Sequence, residues 1–194
     1  PVFRPLMLSH PLEAADREAL DPADYQIEWK WDGIRVQLCA RGDVTKLYSR
    51  SGDDITTTFP EFADLPFNAT LDGELLVGRE GHVAPFQDLQ QRLNRKVVTK
   101  KMMADYPAFI RLYDLLETDG QDLRTWTMSE RRGALENWFA RVKPPRMDLS
   151  ATVPVTGYGE LLAIWSGTRE DGIEGLMLKR KDSAYVSGRP KGLW

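Results

Sequence analysis

A regular alternation of apolar and polar residues early in the chain constrains this fold more than any other feature. Its first part runs through Ile27, Glu28, Trp29, Lys30, Trp31 and Asp32. Alternation with period two is typical of a β-strand with one buried face, and it resumes beyond Gly33. A further strand is predicted from Val44 to Tyr48. The tryptophans are expected to face the core and the charged residues to face away from it.

The remaining pattern mixes strands and helices without a regular β-α-β order. Further strands are predicted at 69–77, 109–116 and 175–180. Helices are predicted at 85–95, from an N-cap at Ser129 to about 142, and at 157–165. We therefore predict one α+β domain over residues 1–194, with largely antiparallel sheets flanked by helices.

Composition argues against disulfides, metal sites rich in Cys or His, membrane helices and secretion. The 194 residues include one cysteine and two histidines, so an intrachain disulfide and a Cys- or His-rich metal site are not expected. No apolar run approaches the ~20 residues of a membrane helix, and no secretory leader opens the sequence. The chemistry is expected to come from Lys, Arg, Asp and Glu in a reducing compartment.

The net charge of −3 hides an uneven distribution. Residues 179–191 contain five basic residues and one acid. A second window has five basic residues and no acid, namely Arg92, Arg95, Lys96, Lys100 and Lys101. Such clustering is typical of a nucleic-acid-binding face, but a solvated surface run fits the sequence equally well.

Three short segments combine glycine with charged residues. On the first predicted strand, Glu28, Lys30 and Asp32 share one face, away from the tryptophans. Asp72 and Glu74 share a face of another strand, and the segment 171–179 contains Glu174 and Lys179. Each segment alone also fits an exposed strand face or a turn.

Taken in order, these segments resemble the covalent nucleotidyltransferases, the superfamily of ATP-dependent DNA ligases and capping enzymes. Residues 30–35 match the pattern KxDGxR, and the further matching motifs lie at 49–52, 71–74, 112–115 and 174–179. The resemblance covers residues 3–194, and residues 181–185 resemble DNA ligases more than capping enzymes or RNA ligases. It implies the nucleotidyltransferase fold, which is ATP-grasp-like.

The resemblance also implies a reaction. Lys30 attacks the α-phosphate of ATP, releases pyrophosphate and holds AMP, which then passes to the 5′-phosphate of a DNA nick. The residues implied to contact the nucleotide are Glu28 at the adenine amine, Arg35, Arg50, Glu74 at the ribose, Tyr113 against the purine ring, and Lys179. Asp32 and Glu174 are the implied ligands of Mg²⁺, with Mn²⁺ as an alternative.

The expected macromolecular partner is nicked double-stranded DNA, contacted by the run from Arg92 to Lys101. The family's fifth motif, its C-terminal OB-fold domain and any N-terminal DNA-binding domain are absent from residues 1–194. We therefore expect the adenylation domain of a larger, monomeric bacterial ligase that acts in the cytoplasm.

Two alternatives remain. An RNA capping guanylyltransferase or RNA-ligase-like enzyme is opposed by Glu28 and by the wording of the fourth motif. A non-catalytic nucleotide- or DNA-binding module is opposed by the intact Lys30, Glu74, Glu174 and Lys179.

Overall fold

The computed structural model describes residues 1–93, 95–167 and 173–194, without the side chain of Glu18. Within these ranges the strands are β1 (Tyr25–Trp31), β2 (Ile34–Arg41), β3 (Val44–Ser49), β4 (Ala69–Arg79), β5 (His82–Val83), β6 (Ala108–Thr118), β7 (Gln121–Asp122), β8 (Met147–Leu149) and β9 (Ile173–Arg180). The helices are α1 (Ala14–Ala19), α2 (Phe86–Gln90), α3 (Lys100–Asp105), α4 (Met128–Val142) and α5 (Tyr158–Gly167).

The strands form two sheets. The larger sheet has seven strands in the order β3-β2-β4-β6-β7, with β5 beside β4 and β8 beside β6. The smaller sheet consists of β1 and β9, which pair antiparallel. Among the described pairs only β6 and β8 run parallel. The predicted α+β class with largely antiparallel sheets is confirmed.

The main hydrophobic core lies against the larger sheet. Helix α4 buries Leu135 and Trp138 there, and the Trp138 ring meets Phe67 edge-on with 5.0 Å between ring centroids. Burying apolar side chains of this size is the largest favourable contribution to folding. This core gives the larger sheet a fixed surface on which site residues can be held.

Two glycines permit backbone segments to pack closely near the site. A Cβ atom on Gly33 would lie 2.4 Å from the carbonyl oxygen of Leu75, and one on Gly73 would lie 2.8 Å from that of Arg111. Real Cβ atoms do not come this close to backbone oxygens. Gly33 therefore lets the connection between β1 and β2 lie directly against β4.

Several predicted boundaries are wrong. The helix predicted over 85–95 ends at Gln90, because the chain turns there to carry Arg92 into the interior. Helix α4 begins two residues before the position that Ser129 as N-cap predicts, because Thr127 and Glu130 form the capping box. Helix α3 has no counterpart in the sequence prediction, since it buries no side chain and has no apolar periodicity.

The expected orientation of β1 is wrong in part: Ile27 is buried and Lys30 is exposed, as predicted, but Glu28 and the tryptophans differ from the prediction. Glu28 is buried, whereas Trp29 and Trp31 are only half-buried. The reason is that β1 belongs to the two-stranded sheet with β9 and stands apart from the main core. Trp31 instead lies against a cation, with the Arg111 guanidinium 4.2 Å from its ring centroid.

None of the helices within the described ranges has the length and apolar character needed to cross a membrane.

Candidate functional site

A cavity of about 460 Å³ opens between the two sheets. The smaller sheet contributes β1 and β9 to its wall, and the larger sheet contributes β2, β4 and β6. Eight of the nine residues predicted for nucleotide or metal binding line it, namely Glu28, Lys30, Arg35, Arg50, Glu74, Tyr113, Glu174 and Lys179. The ninth, Asp32, lies beside the cavity in contact with Glu174. Their chemical roles stay predictions.

Lys30 extends from β1 into this cavity. Its side chain is 53% exposed, and its Nζ lies 3.9 Å from Glu174 Oε2. Backbone pairing of Lys30 with Gly175 brings the two side chains together. An exposed ion pair of this length is weak, so the amine can exchange Glu174 for another partner.

Asp32 and Glu174 form a carboxyl pair. Burial and the adjacent Asp32, which shares a hydrogen bond with it, raise the pKa of Glu174, while Lys30 opposes this effect. Two carboxylates forced together in this way repel each other until a proton or a cation joins them. Two carboxylates with room for water suit Mg²⁺, so this donor set fits a magnesium ion. No cluster of three or more acidic, His or Cys ligands occurs among the described residues.

Glu28 is held by one of its two oxygens. Its Oε2 lies 2.9 Å from Lys179 Nζ and accepts a hydrogen bond from Gln26 Nε2 at 3.0 Å. Its Oε1 is buried and has no hydrogen-bond partner among the described residues. A buried carboxylate oxygen without a donor is costly, so a ligand that brings an N–H group there would bind favourably.

Lys179 is surrounded by aromatic rings. Its Nζ lies 4.2 Å from the centroid of Tyr113 and 4.9 Å from that of Trp194. Burial raises the pKa of the Tyr113 phenol well above its ordinary value, with Arg35 opposing the shift. Tyr113 is therefore a neutral, half-buried ring at the cavity wall, fixed by the cation beside it.

Arg35 donates to Asp72 from two nitrogens. The distances are 3.0 Å from Nε to Oδ1 and 2.5 Å from NH2 to Oδ2. Burial opposes the charge of Arg35, but the Asp72 carboxylate outweighs it and raises the Arg35 pKa. Asp72 thus already accepts hydrogen bonds from two of the Arg35 nitrogens predicted to bind phosphate.

Glu74 has a strongly shifted pKa. Burial raises the pKa of its carboxyl to about 8, and the charges of Asp72 and Glu174 add to this, while Arg35 and the Gly33 N–H oppose it. Arg35 is the cross-strand neighbour of Glu74, but its guanidinium forms its bidentate hydrogen bonds with Asp72. Glu74 is therefore protonated in a substantial fraction of molecules near neutral pH.

Arg50 lies on the exposed turn after β3, where it faces the cavity mouth. Around it the described residues provide no ion pair for its guanidinium.

Arg92 does not belong to the basic surface. It is fully buried, where it forms two hydrogen bonds with Glu61 at 2.6 and 2.8 Å. A buried, paired cation cannot reach a phosphate, so the prediction of DNA contact is wrong for Arg92. The other four members of the run, Arg95, Lys96, Lys100 and Lys101, are exposed.

Three residues of the site, Asp72, Tyr185 and Trp194, are missing from the set predicted from the sequence. Asp72 shares a strand face with Glu74, but the alternation gives no hint of its pairing with Arg35. Tyr185 lies in the segment 181–185 that resembles DNA ligases, which is the available signal. Trp194 lines the cavity and is buried.

Comparisons with known proteins agree on one family. A family model described as the ATP dependent DNA ligase domain matches residues 6–194. The chain is similar to a DNA ligase of Methanoculleus marisnigri, with 34% identity over 179 residues that cover 90% of the chain and 32% of the relative. It is also similar to a probable DNA ligase of Koribacter versatilis, with 32% identity covering 100% of the chain and 38% of the relative. The chain spans about a third of the length of these relatives.

Solved structures show the same likeness. The ligase domain of LigD from M. tuberculosis superposes with a TM-score of 0.73 at 27% identity, covering 98% of this chain and 58% of that one. A mycobacterial DNA ligase D complexed with ATP and MES gives a TM-score of 0.70 at 26% identity, covering 97% of this chain and 57% of that one. The Chlorella virus DNA ligase-adenylate, at 18% identity and a TM-score of 0.67, shares the fold, with 98% of this chain and 65% of that one covered.

Proposed function

Because the chain belongs to the family of ATP-dependent DNA ligase domains, we propose that residues 1–194 form the adenylation domain of a DNA ligase. The Lys30 amine attacks the α-phosphate of ATP. A phosphorus–nitrogen bond forms as the bond to pyrophosphate breaks, and AMP remains on Lys30. The AMP then passes to the 5′-phosphate of a nicked duplex, which prepares the nick for sealing.

One observation carries this proposal: the same cavity is lined by Lys30 and by Glu28, a buried carboxylate with one oxygen that lacks a donor among the described residues. Lys30 Nζ is accessible there, and Glu28 Oε1 lacks a hydrogen-bond donor among the described residues. The adenine amine would donate to Oε1, which places the nucleotide in the cavity that contains the nucleophile. ATP in the structure of the mycobacterial ligase D relative supports this substrate.

The other wall residues complete the nucleotide site. Tyr113 offers its ring to the purine, and Glu74 accepts from the ribose hydroxyls. Arg35 and Arg50 face the phosphates, and Lys179 holds Glu28 in place. Phosphoryl transfer depends mainly on such positioning and on charge neutralisation.

Lys30 must transfer a proton to water in the open cavity before it can attack, since an ammonium has no free electron pair. In the protein without substrate, Glu174 is the carboxylate nearest to its amine. Asp32 and Glu174 would hold Mg²⁺, which supplies charge neutralisation at the phosphates when bound. Engagement of Glu174 in that role would remove the carboxylate that stabilises the ammonium of Lys30.

For DNA, we propose contacts from the exposed cations Arg95, Lys96, Lys100 and Lys101 to backbone phosphates, and from Arg50 to the nick phosphate. The partners are nicked double-stranded DNA and an OB-fold domain of the same protein. The protein acts as a monomer in a bacterial cytoplasm.

The test is the mass of the intact protein after incubation with ATP and Mg²⁺, for this chain and for the full-length protein that contains it. We expect a gain of one AMP group, mapped to Lys30 by tandem mass spectrometry and abolished in Lys30→Ala. Lys46→Ala is the matched control, because Lys46 is a comparably exposed strand lysine paired with Asp54. AMP on another lysine would contradict the assignment. GTP labelling equal to that of ATP would favour a guanylyltransferase, and no labelling of the full-length protein would favour a non-catalytic module.

A further inference from the structure

Asp72 is a fully buried carboxylate whose two oxygens both accept from Arg35. The distances are 3.0 Å to Oδ1 and 2.5 Å to Oδ2, and the exposed fraction of Asp72 is 0%. The Arg35 side chain keeps 14% of its surface exposed, toward the cavity. The ion pair therefore connects a side chain of the cavity wall, Arg35, with a buried side chain of the larger sheet, Asp72.

Tyr185 closes this pair from the C-terminal segment after β9. Its hydroxyl donates to Asp72 Oδ2 at 2.7 Å and accepts from Arg35 NH2 at 3.2 Å. The Tyr185 ring is 6% exposed and meets the Trp194 ring edge-on at 5.8 Å. Three side chains from distant parts of the sequence thus form one closed hydrogen-bonded group.

The donors of Arg35 can be counted. The Nε–H goes to Asp72, the two NH2 hydrogens go to Asp72 and Tyr185, and one NH1 hydrogen goes to the Met7 carbonyl at 2.5 Å. A guanidinium has five N–H groups, so one NH1 hydrogen has no acceptor among the described residues and remains for a ligand. It belongs to a side chain that lines the cavity.

We propose that Asp72 and Tyr185 are positioning residues that hold the Arg35 guanidinium so that its one free N–H faces the nucleotide. This rests on the proposed function of the cavity. Fixing the donor before the substrate binds removes the cost of ordering it during the reaction. Tyr185 fixes the orientation of the Arg35 guanidinium relative to Asp72, because its hydroxyl forms hydrogen bonds with both side chains.

The test separates this role from a merely structural ion pair. Tyr185→Phe removes the hydroxyl but keeps the ring against Trp194. We expect it to fold as the wild type does and to lower the rate constant of Lys30 adenylation at saturating ATP by about tenfold, the effect of one hydrogen bond that acts in the transition state. In an Arg35→Lys background, Tyr185→Phe is expected to have no further effect, because it acts through Arg35. Tyr48→Phe is the control, since the Tyr48 hydroxyl bonds the Pro1 carbonyl, away from the cavity.

A second measurement tests the group without relying on adenylation. Exchange of the Arg35 Nε–H with solvent, followed by NMR in the nucleotide-free protein, should be faster in Tyr185→Phe and in Asp72→Asn than in wild type and Tyr48→Phe. An Nε–H exchange rate that is unchanged in both variants would overturn the inference. So would a fall in the adenylation rate constant that is the same when Tyr185→Phe is made in the wild type and in the Arg35→Lys background. Failure of the wild type to accept AMP would refute the proposed function instead, and the exchange data would still decide whether Asp72 and Tyr185 hold Arg35.

Discussion

Glu28 and Lys179 form a buried ion pair across the two strands of the smaller sheet, with 2.9 Å between Oε2 and Nζ. The pair determines which part of the carboxylate a ligand can reach. Because Lys179 and Gln26 occupy Oε2, only Oε1 remains for a donor. Under the proposed function, the base preference of the site depends on a single acceptor atom, Oε1 of Glu28.

The first prediction concerns base choice. ATP should label Lys30, whereas ITP, which has a carbonyl in place of the adenine amine, should label it far more slowly. A site built around one hydrogen bond rejects the analogue that lacks it by as much as ~10⁴-fold. Rates from intact-mass time courses with both nucleotides measure the ratio. Equal rates would show that Glu28 does not contact the base.

The second prediction concerns pH and Glu74. The pKa of Glu74 is about 8 in the folded protein against an ordinary 4.5, so the folded state keeps a proton that the unfolded chain releases. This contribution to the free energy of unfolding is complete below about pH 4.5 and disappears as the pH rises through about 8. Each tenfold difference in proton affinity corresponds to about 1.4 kcal/mol.

Glu74→Gln should remove that dependence. Relative to wild type, it should be more stable at pH 8 than at pH 5, as measured by urea unfolding at both values. Glu80→Gln, at an exposed turn, is the control for removal of a carboxyl and should keep the wild-type trend. Parallel stability curves for wild type and Glu74→Gln would refute the shift.

The third prediction separates buried from exposed cations in the basic run. Arg92→Ala should lower the free energy of unfolding by about 3–5 kcal/mol, because it leaves Glu61 buried without its partner. Lys100→Ala with Lys101→Ala should change it by less than about 0.5 kcal/mol per residue.

The same lysine pair should instead affect DNA. In the full-length protein the double variant should flatten the salt dependence of binding to a nicked duplex, by ~0.9 in the logarithmic slope for each phosphate that the protein no longer neutralises. Lys30 adenylation should stay at the wild-type rate. An unchanged slope would show that Lys100 and Lys101 are solvated surface residues that do not contact DNA phosphates.

The fourth prediction concerns the metal. Asp32→Asn and Glu174→Gln should each weaken divalent-cation binding by about 10- to 100-fold, since Mg²⁺ and Mn²⁺ are held by few carboxylates. Electron paramagnetic resonance of free Mn²⁺ reports binding directly, without the reaction. Asp182→Asn, at an exposed surface pair with Arg180, is the matched control. Wild-type affinity in both site variants would place the metal elsewhere.

Much of the site could be predicted because its residues lie in short, ordered motifs. Local spacing identifies Lys30 on a strand and Glu74 on another, and the family resemblance then brings them together. The antiparallel strands follow from alternation in the same way. The position of Arg50 at the cavity mouth follows from its place directly after β3.

The burial of charged residues could not be predicted. Arg92 and Asp72 look like any other charged residues in the sequence, yet both are fully buried. Their partners, Glu61 and Arg35, are more than 30 positions away, and alternation carries no information on such pairs. The prediction that the tryptophans of β1 face the core is wrong for a related reason. A two-stranded sheet packs against few apolar side chains, so these tryptophans are only half-buried.

The pairing of β1 with β9 has a consequence for how the protein is made. Lys30 is synthesised about 145 residues before its strand partner Gly175. At ~5–20 residues per second, roughly seven to thirty seconds separate the two events. Throughout that interval Lys30 has no strand partner on that side, and neither Glu174 nor Lys179 has been synthesised. A nascent chain therefore cannot complete the cavity around Lys30 until β9 has been made, by which time every strand of the larger sheet has already been synthesised.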